Sequence, residues 1–581
     1  MKIRALFLIY VFLLGLNKAS AETITDFRSG NFGAGEQLNQ IERSQNKKER
    51  LRSPPKIEEE KEPPKLKTQA ATFKVSNFSF EGNKLISSNE LQVFLKEYLN
   101  REITLDELKL AVDSLSVLYK DKGYLATASL PKQDITEGNV KIIIIEAKFG
   151  GTQLKLDPNT KYRIHPEVIQ KFIEHSNQKG DVLNLNALDR AVLIADELPG
   201  AAVTQSLQSG TKDGETDSLL NINNEPNYVA MVSVDNYGSH ATGPVRYQAN
   251  ASFLSPLGIG DRIDLGLLHS KGTDYARLSF NRPIGYSGLR MGINASALKY
   301  DVIAGAALSL NPEGTAETLQ MEGSYPVYRS RAFDLSLASF LERKHFRNKA
   351  QEAVESNYFI DLFNMGSSLN HKNTLFLAGE TSASIDLDLG YANYDDSPLT
   401  FQASKIEQAT QGRFNRLRWG INNTQFFTET ISSVLKFNGQ LSDSNLDSSQ
   451  KFYLGGANGV RAYPTSEGSG SEGYLFSAEL HKELTANFTA TGFYDYGFAR
   501  QYIDNTNNAT GAENATGKNS FNMKGYGTSL EWTGFVGPYR STFSAIWSRR
   551  IRNNPNPQAD GSDSDGSRPG NFYWFKASMS F

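Results

Sequence analysis

Two kinds of hydrophobic patterning follow one another along the chain. In residues 73–225 apolar positions switch between the two-residue period of a strand and the three-to-four-residue period of a helix. Residues 73–80 alternate and close on Glu81-Gly82-Asn83, and 88–98 and 105–119 carry apolar groups at helical spacing. Residues 125–130 and 140–145 return to strand, the second ending in the run Ile142-Ile143-Ile144-Ile145. This order predicts a β-α-α-β-β unit with a small two-layer core. A second unit follows, with helices predicted over 166–175 and 185–197, strands over 202–207 and 217–222, and Leu198-Pro199-Gly200 as a stop between them.

From residue 226 the helical period is gone. Sixteen alternating segments, rich in Tyr, Phe, Ser, Asn and Gly, centre on Val232, Gln248, Leu265, Leu278, Ile293, Met321, Leu335, Ile360, Ile385, Trp419, Leu435, Phe476, Phe493, Thr528, Phe543 and Ala577. They share 356 residues, about 22 each with a connection, which suits membrane strands of about 9–11 residues. In the last, Tyr573, Phe575, Ala577, Met579 and Phe581 fall on one face and Trp574, Lys576, Ser578 and Ser580 on the other. A soluble antiparallel sheet would alternate too. The almost wholly apolar outward set favours lipid, and lipid requires a closed barrel because it cannot satisfy open edges. An even strand count leaves both ends on the periplasmic side. Trp419, Trp532 and Trp574 are expected in the interfacial aromatic girdles.

The amino-terminal stretch has neither pattern. Lys2 and Arg4, the twelve-residue apolar run Ala5 to Leu16 and Ala19-Ser20-Ala21 predict a signal peptide over 1–21. Residues 22–72, with Pro54-Pro55, Pro63-Pro64 and Glu58-Glu59-Glu60, read as a mobile linker. Within it, 33–52 holds good helix formers with a thin apolar stripe, which suits a helix in a polar cavity and a solvated one equally well; Glu36, Leu38, Ile41 and Arg43 are the candidate contacts in the first case.

Composition narrows the chemistry. The chain has 581 residues, 61 basic against 64 acidic, and no Cys. Near-neutral charge argues against a nucleic-acid partner, and without Cys there is no thiolate metal site or thiol nucleophile. The seven His are scattered and no catalytic constellation stands out, so no enzyme activity, cofactor or metal is expected. Gly468-Ser469-Gly470-Ser471-Glu472-Gly473 spells a dinucleotide fingerprint, but a β-segment follows it where a helix is needed, so it reads as a flexible loop.

The order of segments resembles the Omp85 superfamily and, within it, the outer-membrane transporters of two-partner secretion that export hemolysins, adhesins and contact-dependent toxins. The resemblance rests on Phe80-Glu81-Gly82-Asn83, Gly123-Tyr124 and residues 130–138 in the first unit, and on Leu198-Pro199-Gly200 and residues 210–217 in the second. Further on it rests on Asp235-Asn236-Tyr237-Gly238-Ser239 with Thr242-Gly243 and Arg246, then Ser255-Pro256-Leu257-Gly258-Ile259-Gly260-Asp261. Val460-Arg461-Ala462-Tyr463 matches the family's Val-Arg-Gly-Tyr/Phe loop motif with Ala in place of Gly, and Phe493-Tyr494-Asp495-Tyr496-Gly497 matches Phe-x-Asp-x-Gly. It implies a signal peptide (1–21), a plug helix and linker (22–72), two periplasmic POTRA modules (73–149 and 150–225) and a sixteen-stranded barrel (226–581).

The resemblance also implies that a loop folds into the barrel and offers Arg461 to Asp495, in a lock with Val460, Ala462, Tyr463, Phe493 and Gly497. Strand alternation adds Glu479, because Tyr474, Phe476, Ala478 and Leu480 would take the lipid face. The implied function is a pore that exports one large β-helical partner exoprotein without nucleotide, its amino-terminal secretion domain captured by strand addition on the modules. The candidate edges are Leu125, Ala126, Thr127, Ala128, Ser129 and Leu130; Val140, Ile142 and Ile144; and Val203 and Gln205. Other expected partners are outer-membrane lipid and the barrel assembly machinery reading Phe581, and the expected location is the outer membrane of a Gram-negative bacterium. Rival readings are a barrel insertase of the same superfamily and, more remotely, a nutrient porin.

Overall fold

The computed structural model describes residues 33–45, 72–135, 137–558, 560–568 and 570–581. The expected signal peptide (1–21), residues 46–52 of the candidate helix and most of the expected linker lie outside these. Sixteen antiparallel strands close into a barrel, from Tyr228–Asp235 to Asn571–Ser580, which pair with each other. Each of the sixteen expected centres lies in a different wall strand. Heights differ: the first strand has 8 residues, the seventh (Phe333–Ala350) 18 and the eighth (Ala353–Asn373) 21. The closing seam is the shortest pairing of the wall, with five residue pairs from Asp235↔Lys576 to Met231↔Ser580.

Each small unit is a three-stranded sheet covered by two helices. In the first, Thr104 caps helix Leu105–Asp121 in a capping box with Glu107, and Leu108, Ala111, Val112, Leu115 and Tyr119 form its buried stripe. Its sheet runs Asn77–Glu81, Asn139–Glu146, Ala126–Ser129, so the isoleucine-rich strand is central. This corrects the expectation for Val140, Ile142 and Ile144. Their strand is hydrogen-bonded on both sides and all three side chains are buried, so it offers neither edge nor groove.

The second unit has a strand the alternation did not mark, Lys148–Lys155, which straddles the expected border at 149/150. Gly150-Gly151 interrupts its pattern, and the register shifts there. The sheet order is Lys148–Lys155, Glu215–Asn224, Ala201–Ser209, with helices Pro166–Ser176 and Leu185–Asp196. This unit sits on the barrel. Gly258 and Gly260 both have positive φ, and a Cβ would stand 2.8 Å from His165 and from Leu198, respectively, so glycine alone lets the 255–261 turn seat against it. The Gly258 carbonyl accepts from the His165 N–H (2.9 Å), and Arg190 Nη2 donates to the carbonyls of Pro326 (2.6 Å) and Ser287 (3.3 Å).

Candidate functional site

Residues 443–471, between the eleventh strand (Ile431–Ser442) and the twelfth (Glu472–Glu483), fold back into the lumen. They bury Leu454, Val460, Ala462 and Tyr463 against Leu475, Ala499, Phe521 and Met523 of the wall. The twelfth strand and the thirteenth (Phe488–Arg500) turn Ser477, Glu479 and His481, and Thr491, Phe493, Asp495 and Gly497, to the inside, as period two requires.

Arg461 is buried at the tip of this loop. Its Nε and Nη2 donate to Asp495 Oδ2 and Oδ1 at 2.8 and 2.7 Å, a bidentate fork, and its backbone N–H reaches Oδ2 at 3.1 Å. Nη1 lies 3.0 Å from Glu479 Oε1, and the guanidinium stands 3.4 Å over the Phe493 ring. Ser477 Oγ accepts from Arg461 Nη2 and donates to Asp495 Oδ1. Glu479 also pairs with Lys436 Nζ (3.1 Å), and its Oε2 lies 3.0 Å from His481 Nε2, with Thr491 Oγ1 2.8 Å from His481 Nδ1. Two adjacent lumen carboxylates thus share three basic side chains.

The other motif residues hold the tip. Gly497 leaves room for Leu454 and Val460, to which an added Cβ would come within 3.0 Å. The Ala462 carbonyl accepts from Arg550 Nε (2.9 Å), and Arg550 stacks over Tyr463 at 4.4 Å. Ala462 is absent from the positive-φ residues and fully buried with its Cβ against Gly525, so the place of the usual glycine needs no left-handed backbone. Trp574 corrects the girdle expectation. It is buried facing inward, and its Nε1–H donates to the Arg461 carbonyl at 2.7 Å, beside Ser548 Oγ at 2.6 Å. The alternation of its own strand already grouped it with Lys576. The fingerprint-like stretch is not free either: Ser469–Gly470 pairs with Phe452–Tyr453, and Ser471 is buried.

The second element in the lumen is helix Ala34–Gln45. Ala34, Leu38 and Ile41, at i, i+4 and i+7, form its apolar stripe and share one buried cluster with Tyr300, Phe346 and Tyr358 of the wall. Its first N–H is satisfied by Asn348 Oδ1 (2.9 Å), and Glu42 pairs with Lys344 (2.9 Å). Its polar side meets the loop: Asn39 Nδ2 donates to the Ser449 carbonyl (2.9 Å), Gln40 to Ser466, and Arg43 lies 5.9 Å over the Phe452 ring. Burial pushes the Glu36 carboxyl up to about 8 despite its hydrogen bonds to Ser466 and Gln40, and the nearby Glu467, itself pushed up to about 7 by burial, adds to the effect. Tyr300 and Tyr453 also lie within electrostatic reach of Glu36. The helix dipole favours a charge in the first turn by up to about 1 kcal/mol, too little to offset this desolvation.

Sequence reasoning missed the other anchors of the loop. Asp447 accepts from the hydroxyls of Tyr394 (3.0 Å) and Tyr358 (3.3 Å), and Arg416, fixed by Asp388 (2.9 Å), donates Nη1 to the Gln450 carbonyl (2.8 Å). Asp388, between Leu387 and Leu389 on its strand, was the one available signal. Among the remaining candidates, Ala126–Ser129 and Ala201–Ser209 are edge strands, each paired on one side only. Leu125 and Leu130 flank the first; Ala126 and Val203 point into their cores, while Thr127 and Ser129 are exposed. Gln205 donates to Ser218 Oγ (2.9 Å).

Comparison with known proteins places this architecture. Residues 214–518 match the family model described as haemolysin secretion/activation protein ShlB/FhaC/HecB, and residues 73–147 match the ShlB-type POTRA domain. The heme/hemopexin transporter protein HuxB of Haemophilus influenzae is 26% identical over 462 residues, 78% of this chain and 79% of its own. The outer membrane transporter CdiB of Dickeya dadantii is 20% identical over 452 residues, 76% and 78% of the two chains. The solved structure of CdiB from Escherichia coli superposes with a TM-score of 0.70 at 17% identity, covering 96% of this chain and 100% of that one, and so shares the fold.

Proposed function

Because the chain belongs to the haemolysin secretion/activation family ShlB/FhaC/HecB, we propose that it exports one large β-rich exoprotein across the outer membrane, in which its barrel lies with the POTRA modules in the periplasm. It acts as a conduit and performs no covalent chemistry. The modules capture the amino-terminal secretion domain of the partner while it is extended, by adding it to the free edges Ala126–Ser129 and Ala201–Ser209. Folding of the partner outside supplies the drive. Of the two relatives, HuxB is named for the transport of heme and hemopexin and CdiB as an outer membrane transporter; the cargo of this chain is read as a protein.

One observation carries this reading: the lumen is filled by two segments that are fastened to the wall by side chains and not by strand pairing. A segment in a β-ladder cannot leave without breaking the barrel, whereas side-chain contacts in a solvated lumen can exchange one by one. Helix Ala34–Gln45 is then a resident plug and the loop around Arg461 a second constriction. Deleting residues 73–146, which spares the second unit's strand Lys148–Lys155 and its core residues Ala147 and Phe149, tests the capture step. Export should cease while the barrel still assembles, as read by heat-dependent gel mobility; normal export by this variant would remove strand addition on the first module from the account.

A further inference from the structure

The two strands of the closing seam end at different heights. The first (Tyr228–Asp235) makes its last ladder pair at Asp235↔Lys576, whereas the last (Asn571–Ser580) continues past it to Asn571. Because the first strand rises from the second module, this stretch lies at the extracellular end. On one side, residues 571–575 pair with the fifteenth strand (Tyr539–Arg550). Ladder bonds alternate between the two sides of a strand, so the N–H and C=O groups of Tyr573 and Phe575 point the other way, toward the edge that the first strand has left. Tyr573 is 55% exposed on the lipid face, and lipid offers such groups no partner.

Asn236 closes this edge. Its backbone N–H donates to the Phe575 carbonyl at 3.2 Å. Beyond it the first strand turns away, and the Gly238 N–H goes to the Pro244 carbonyl (2.9 Å). The side chain takes over: Oδ1 accepts from the Phe575 N–H at 2.7 Å, and Nδ2 donates to the Tyr573 carbonyl at 2.9 Å. A strand running on would have supplied these two bonds from the Asn236 carbonyl and the Gly238 N–H. A carboxamide reproduces both because it carries an acceptor and a donor on one carbon.

The loop around Arg461 braces the same place from the lumen. Thr465 Oγ1 donates to the Tyr237 carbonyl at 2.9 Å, beside the end of the first strand, and the Arg461 carbonyl accepts from Trp574 Nε1–H of the last. The Tyr237 and Trp574 rings meet edge to face at 5.8 Å. The loop thus holds both banks of the seam, and Asn236 ties the same two strand ends from the outer side.

We propose that Asn236 is a positioning residue that keeps the extracellular end of the seam shut when the loop is displaced, and so confines cargo to the lumen. With the loop in place, two ties hold the strand ends together. Without it, the carboxamide and the five ladder pairs remain. Loss of the carboxamide then lets the last strand's edge open to lipid. Only the confinement of cargo rests on the export reading.

Hydrogen exchange of the full chain in lipid nanodiscs, resolved to single amides, tests the closure. Asn236→Ala should speed exchange at Phe575 at least 10-fold and leave the sixth strand (Glu313–Arg329) unchanged. Asn236→Asp, which keeps the acceptor and loses the donor, should fall between, and it decides the matter should the alanine variant fail to fold, as read by heat-dependent mobility. Arg461→Ala alone should change Phe575 less than 3-fold, and Arg461→Ala with Asn236→Ala should exceed the product of the single effects, since each tie covers for the other. Unchanged exchange at Phe575 in the folded Asn236 variants, or a double variant that only multiplies the single effects, overturns the closure. Confinement is read with the cognate exoprotein stalled in transit and a photo-crosslinking residue at position 573. Asn236→Ala should give cargo adducts there and the otherwise wild-type chain none. Adducts in both or in neither, with cargo still captured from the lumen at position 320, overturn confinement. No cargo at position 320 in wild type would count against the export reading instead.

Discussion

Arg461 makes three charged hydrogen bonds to Asp495 and a contact to Glu479, all shielded from bulk water. Removing one member of a buried pair costs about 3–5 kcal/mol, because the partner is left charged and dry. Here Arg461→Ala leaves two carboxylates facing each other, so it should detach the loop and impair secretion, measured as cargo in the medium. Arg461→Lys should restore only part, since an ammonium cannot fork across both Asp495 oxygens or lie flat over Phe493. Glu36 supplies the pH dependence. Its carboxyl is raised to about 8 when docked, against 4.5 for a free group, so the docked helix favours the neutral form. Docking is therefore complete below the free value and weakens as pH rises toward 8, by about 1.4 kcal/mol per pH unit. Single-channel conductance should rise between pH 5 and 8, and Glu36→Gln should flatten that slope; a wild-type conductance independent of pH would sink this reading of Glu36.

At the scale of elements, the helix and the loop meet inside the barrel through Asn39, Gln40 and Arg43. Deleting residues 33–52 should raise conductance in planar bilayers, and an unchanged value would mean that the helix does not occlude the path. The elements themselves were legible where period alone decides. All sixteen wall strands and the helix pairs of both modules follow from spacing, because a lipid-facing strand must repeat every two residues and an amphipathic helix every three or four. Strand Lys148–Lys155 escaped because two glycines erase its alternation. The misplaced edge, Val140 to Ile145, shows a further limit. The four isoleucines sit on a strand whose Ile142 and Ile144 are buried and whose Ile145 is 51% exposed; it is central because both its edges are hydrogen-bonded, and strand order is a tertiary fact that no local pattern carries.

On the scale of the whole molecule, the site was legible only as far as one strand reaches. Alternation put Asp495 and Glu479 inside; the arrival of Arg461 from a loop followed from resemblance; and Trp574, Ser548, Arg416 and Asp447 became partners only when the barrel closed. Closure also leaves two routes past the wall. One is the lumen, blocked by side-chain contacts; the other is the five-pair seam between the first and last strands, which an insertase would open to lipid. The sixth strand offers neighbouring probes: Gln320 faces the lumen and hydrogen-bonds Asn294 (2.8 Å), while Met321 is 58% exposed on the lipid face. A photo-crosslinking residue placed at either position, with the cognate exoprotein stalled in transit by a folded domain at its carboxyl end, reads the route directly. Export through the lumen predicts cargo adducts at position 320 and none at 321; adducts at 321, or at neither, would contradict it.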